Sequence, residues 1–151
     1  MPQQDDVKQI RTLIDDWAAG LRAKDAKRVK RHGIKDLVHF SLAPPLVADE
    51  SGPYGLEKWF KTWDGPLGYE LRDLEIVSGD GVAFSHSLNH LTGTQRGEKQ
   101  DLWFRSTLGF RKVDGEWKIQ HTGYVRTFEE VQNAAEAPKW SLTHYGDHLK
   151  K

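Results

Sequence analysis

The chain has 151 residues, no cysteine, and Lys+Arg 22 balanced by Asp+Glu 22. That length predicts one domain, large enough to bury roughly two-thirds of the surface its unfolded chain exposes. The balanced charge argues against nucleic acid or an acidic membrane as partner, and the missing cysteine excludes disulfides, thiolate metal sites and a cysteine nucleophile. No apolar run approaches a membrane span, so a cytoplasmic protein without a membrane partner is expected.

Val7, Ile10, Ile14, Trp17 and Leu21 recur at helical spacing, with Leu13 widening the stripe. Asp5 or Asp6 can cap this first helix, and Asp25 a short second one that Gly33 ends. Leu37–Leu42 reads as a strand stopped by Ala43-Pro44-Pro45. Ser51, Gly52 and Pro53 start a third helix with Leu56, Trp59, Phe60 and Trp63 on one face, ended by Asp64-Gly65-Pro66. Four strands follow, near Tyr69–Val77, Val82–Thr94, Lys99–Lys112 and Trp117–Val125. Gly79-Asp80-Gly81, Arg96-Gly97 and Asp114-Gly115 supply tight turns. The domain is expected over residues 1–128. The tail, 129–151, is expected to pack on it or to be partly disordered, with a helix over Glu129–Ala137.

Strand alternation predicts which side chains meet. Leu102, Phe104, Leu108 and Phe110 share a core-facing phase. Val82, Phe84, His86, Leu88 and His90 share another, and so do Trp117, Ile119, His121, Gly123 and Val125. This alternation places His86 and His121 on the apolar, inward faces. Trp103, Arg105, Thr107 and Tyr124 then lie opposite, subject to any bulge.

His121 is the leading candidate acid or base, because an imidazole titrates near neutrality; the competing reading is a core histidine bonded to backbone. His86 on the neighbouring strand could pair with it. Trp59 and Trp63 could stack a flat ligand, with Phe104 as a further wall and Tyr69 donating its hydroxyl; plain core packing competes for the tryptophans. His39 could face either way, and Arg105 could bind an anion or brace an acidic neighbour. The basic run Lys24, Lys27, Arg28, Lys30, Arg31 and His32 reads as a solvated helix face or a surface for an acidic partner. His144 and His148 have four-residue spacing, but Gly146 breaks the helix that would align them. No metal and no organic cofactor is therefore expected.

Leu42-Ala43-Pro44-Pro45-Leu46, Trp63 to Leu74, Val82 to Asn89, Asp101 to Arg105, and Phe110 to Ile119 together resemble SnoaL-like proteins. These belong to the superfamily of nuclear transport factor 2, ketosteroid isomerase and polyketide cyclases. The resemblance implies an α+β fold of cystatin-like type: a cone-shaped roll with N-terminal helices packed in a curved, mostly antiparallel sheet. It also implies a homodimer and a pocket for a small hydrophobic or aromatic ligand. Members include isomerases, cyclases, dehydratases, hydrolases and inert scaffolds, so fold alone does not assign chemistry. Many relatives end the last strand with His-x-His, where this chain has His121-Thr122-Gly123. They often carry an acid near the end of the first strand, where it has Ser41. Two expectations follow: a cofactor-free isomerase, cyclase or hydrolase using a histidine, or a non-catalytic ligand-binding or dimerisation module.

Overall fold

The structure, a computed structural model, describes residues 2–40 and 55–126, with side chains from Gln4 to Phe40 and from Gly55 to Val125. Ser41, the Pro44-Pro45 stop, the helix start at Ser51–Pro53, and the tail with Glu129–Ala137, His144 and His148 lie outside the described residues. Helix α1 covers Pro2–Arg22 and α2 Ala26–Lys30; strand β1 covers Gly33–Phe40, α3 Gly55–Lys61, β2 Trp63–Ser78, β3 Val82–Gln95, β4 Glu98–Val113 and β5 Glu116–Arg126. No described helix is long and apolar enough to cross a membrane.

The apolar stripe of α1 explains its docking. Ile10, Leu13, Ile14, Trp17 and Leu21 are all buried, each contributing about 1.5–3 kcal/mol relative to exposure. Asp25 caps α2 by accepting from the Arg28 amide at 3.0 Å. A Cβ on Gly20 would meet Val29 Cγ2 at 2.9 Å, so glycine is what lets α1 and α2 close on each other. Asp16 then gathers much of the basic run: it accepts from Arg28 at 2.9 and 2.6 Å, from Arg31 at 2.6 Å, and pairs with His32 at 2.5 Å. These hydrogen bonds, led by Arg28, hold its carboxyl well below the usual range.

The sheet is mixed, in the order β1-β5-β4-β3-β2, with β1 parallel to β5 and every other pair antiparallel. The two tightest hairpins turn through paired positive φ values, 50° and 82° at Arg96-Gly97 and 51° and 82° at Asp114-Gly115. Those are the backbone angles that match the twist of adjoining strands. Trp63 is the first residue of β2 rather than the last of a helix. Its ring lies 3.1 Å from where a Cβ on Gly93 would sit, and Gly93 has φ +146°. Only glycine accommodates both the angle and the approach.

Four irregularities interrupt the pairing of the sheet. One lies in β1 between Gly33 and Val38, and two interrupt β2, between Asp64 and Gly68 and between Arg72 and Glu75; the fourth sets Phe110 opposite Ile119 but Gly109 opposite His121. Gln120 is thus an extra residue in β5. A bulge of this kind shifts the strand's phase and increases its twist.

Candidate functional site

The middle of the inner face is polar. Strand β3 presents Ser85, Ser87 and Asn89 inward, β4 presents Ser106 between Phe104 and Leu108, and β5 presents Thr122, all buried. A plain core would carry branched apolar residues here, since each buried polar group must find a partner. Most of these do. Ser87 Oγ donates to Asn89 Oδ1 at 2.6 Å, and Asn89 Nδ2 donates to the Tyr69 hydroxyl at 2.7 Å. The Tyr124 hydroxyl bonds the same phenol. Burial pushes the Tyr69 phenol above its ordinary range, while the bonds from Asn89 and Tyr124 act in the opposite direction. Tyr69 is therefore a neutral donor at pH 7, with an oxygen already polarised by its neighbours.

His39 completes the group from β1. It pairs with Thr122 across the parallel strand junction, and its Nδ1 shares a hydrogen bond with Thr122 Oγ1. Tyr124 meets its ring edge-on at 5.1 Å. Burial, and secondarily the charge of His121, lower the His39 pKa to about 4. The imidazole is consequently neutral at pH 7 and able to accept a proton. Aromatic rings link the two ends: Tyr124 contacts Phe104 at 5.1 Å, Phe104 contacts Tyr69 at 6.2 Å, and Tyr69 contacts Trp17 at 5.6 Å.

Of the sequence candidates, His39, Tyr69 and Phe104 come together in this interior. Trp63 and Trp59 pack against each other at 5.5 Å, Trp63 buried and Trp59 half-buried. The Trp63 indole nitrogen has no hydrogen-bond partner among the described residues. Arg105 is exposed on the outer face. The inward placement of His86 and His121 is corrected. His86 is exposed, opposite Thr107 and Glu75 on the outer face. His121 lies on that face too, its ring edge-on to Phe40 at 4.8 Å and folded over Gly123.

Two physical causes account for the correction. In β3 the apolar phase is the outer one, with Val82, Phe84 and Leu88 exposed. In β5 the extra Gln120 reverses the phase, so His121 turns outward while Thr122 and Tyr124 turn inward. Sequence reasoning missed Ser87, Asn89, Ser106 and Thr122. The alternation Ser85, Ser87, Asn89 was the available signal, a polar phase in a strand shielded on both sides by neighbours. Among the described residues no cluster of three or more histidine, aspartate and glutamate side chains is arranged to hold a metal.

Comparison with known proteins agrees with this architecture. An NTF2-like protein of unknown function from Pseudomonas putida has a TM-score of 0.72 and 26% identity, covering 80% of this chain and 86% of its own. A candidate scytalone dehydratase from Novosphingobium aromaticivorans has a TM-score of 0.69 and 18% identity, covering 82% of this chain and 85% of its own. A candidate ketosteroid isomerase from Shewanella frigidimarina has a TM-score of 0.61 and 19% identity, covering 76% and 92%. At these identities the last two bear on the fold alone. Curated proteins gave no match. The model of the SnoaL-like domain matches residues 10–124, and the chain belongs to that family.

Proposed function

We propose that the interior receives a small, uncharged, oxygen-bearing hydrophobic or aromatic molecule and carries out cofactor-free acid–base chemistry on it. The isomerisations and dehydrations found in the fold family are the reaction classes in view. The observation that carries this reading is the buried chain Ser87–Asn89–Tyr69–Tyr124 beside a neutral His39. Tyr69 would polarise a carbonyl or hydroxyl oxygen, and His39 would take and return the proton. Phe104 and Trp17 would hold the ring. The outward His121 acts only through its charge on His39. The dehydratase and isomerase neighbours are compatible with such chemistry, although their likeness extends to the fold only.

A second reading is a non-catalytic binding module. It is favoured by the near-complete burial of Tyr69, Asn89 and His39, at 6%, 0% and 8% exposure. Uptake then requires the interior to open, which slows association. Native mass spectrometry of the protein as isolated, followed by a screen of neutral aromatic alcohols and ketones, separates the readings. Turnover that His39→Gln abolishes without loss of binding supports the enzyme. Binding without turnover supports the module. Failure of every such compound to bind overturns both.

The partner is a second copy of the chain, docked through the outer sheet face. Val38, Phe40, Val82, Phe84, Leu88 and Val125 are exposed there at 41–61%. Five strands about 4.8 Å apart and roughly ten residues long give a footprint of about 800 Å², one side of an ordinary stable interface. Apolar patches of this size on a soluble protein are normally covered.

A further inference from the structure

Ser106 has a burial that its own hydrogen bonding does not explain. It is 2% exposed, on the inner face of β4, with Ser87 of β3 and Tyr124 of β5 directly across from it. Its hydroxyl makes no hydrogen bond to another group among the described residues. Both flanking side chains are committed elsewhere, Ser87 to Asn89 and Tyr124 to Tyr69. A buried hydroxyl without a protein partner is destabilising, and alanine would fill nearly the same space without that cost. The serine gains nothing for the closed fold.

The surroundings define what could pair with it. No aspartate, glutamate, lysine or arginine occurs among the described buried residues. A carboxylate, phosphate or ammonium brought to Ser106 would therefore be stripped of water without a counter-charge. A ligand that meets only hydroxyl, amide and aromatic groups and a His39 imidazole kept neutral by burial must itself be neutral.

We propose that the Ser106 hydroxyl is a specificity determinant that recognises a neutral oxygen, a hydroxyl or a carbonyl, on a ring-bearing ligand. The inference rests on the reading of the interior as a ligand site and narrows it to one contact and one charge class. Sites with a polar group reserved for a substrate oxygen reject analogues lacking that oxygen, because the group is then left unpaired.

Naphthalene, 2-naphthol and 2-naphthoate test this on the full chain, with affinities measured by quenching of intrinsic tryptophan fluorescence. The parent protein should bind 2-naphthol about tenfold more tightly than naphthalene, and 2-naphthoate weakest of the three. Ser106→Ala should keep the affinity for naphthalene while the preference for 2-naphthol drops below about threefold. Ser106→Thr, which keeps a hydroxyl, should restore part of it. Without ligand, Ser106→Ala should melt at or above the parent temperature. A preference that survives in Ser106→Ala overturns the proposal, as does a melting temperature lowered by several degrees or failure of that variant to fold. Equal binding of 2-naphthoate and 2-naphthol overturns the charge class. If none of the probes binds the parent, the ligand-site reading fails and takes the Ser106 assignment with it, a result distinct from retained selectivity.

Discussion

The two faces of the sheet depart from simple apolar-in, polar-out alternation in opposite ways. The inner face, packed under α1, is polar along its middle, with Ser85, Ser87, Asn89, Ser106 and Thr122 buried. The outer face carries Val38, Phe40, Val82, Phe84 and Leu88 in the open. A single-layer sheet under one helix would ordinarily alternate apolar-in and polar-out. The contrast underlies the proposed function, in which the inner face meets a ligand and the outer face a second copy of the chain.

Breaking the inner chain should have the largest effect. Asn89→Leu preserves volume but removes the acceptor of the buried Ser87 hydroxyl and one of the two hydrogen bonds to the Tyr69 phenol, which costs about 2–3 kcal/mol. Tyr69→Phe breaks the same Asn89–Tyr69 hydrogen bond, so the double variant should lose less than the sum of the singles. Urea titration of the four proteins measures that coupling, and strict additivity would show that the two side chains do not act together.

Acid should act next. Above pH 6.5 His39 is neutral in both the folded and unfolded chain and contributes no pH dependence. Between 6.5 and its folded pKa of about 4, the unfolded chain binds a proton that the native chain refuses. Stability therefore falls as pH drops through that window and levels below it, by up to about 3 kcal/mol. His39→Gln should flatten this part of the profile. Asp16, whose carboxyl is held low by Arg28, His32 and Arg31, works in a separate window, losing its contribution only as pH falls below 3.8. A His39→Gln profile parallel to the parent's between pH 4 and 6.5 would remove His39 from the account.

The outer face responds differently. Phe84→Glu should leave the fold intact and convert a dimer to a monomer, as read by light scattering at about 50 µM. His86→Gln, on the same exposed strand face, should shift the melting temperature by no more than about 2 °C. A parent protein that is already monomeric at that concentration defeats the covered-face interpretation.

Much of the architecture was legible in the sequence. The period of Ile10, Ile14, Trp17 and Leu21 defines α1, and Arg96-Gly97 and Asp114-Gly115 announce their turns through the φ values that glycine permits. Face assignment was less legible, for two reasons rooted in particular residues. Hydrophobic alternation identifies a buried face only when the other face is wet, and Phe84 and Leu88 lie on a face with its own apolar character. Alternation also presumes a regular strand, whereas Gln120 adds a residue to β5. No proline or glycine stands at Gln120 itself to announce it; the nearest glycine in β5 is Gly123. His39 was left free to face either way because only its register against Thr122 on a distant strand orients it.

That register has a kinetic consequence. Strands β2 to β5 meet through successive hairpins, whereas His39 reaches Thr122 across a separation of 83 residues. Long-range parallel pairing needs a large loop closed before any contact rewards it, so high contact order makes it slow. The meander is therefore expected to form first and β1 to dock afterwards, so that His39 is the last side chain to reach the proposed site. Substitutions at Thr122 that weaken this junction should accelerate unfolding and leave the refolding rate nearly unchanged. A refolding rate that falls in proportion to stability would place the junction in the nucleus instead. If β1 docks last, partly folded chains hold Tyr69, Asn89 and Tyr124 together on the meander before the neutral imidazole of His39 arrives beside them.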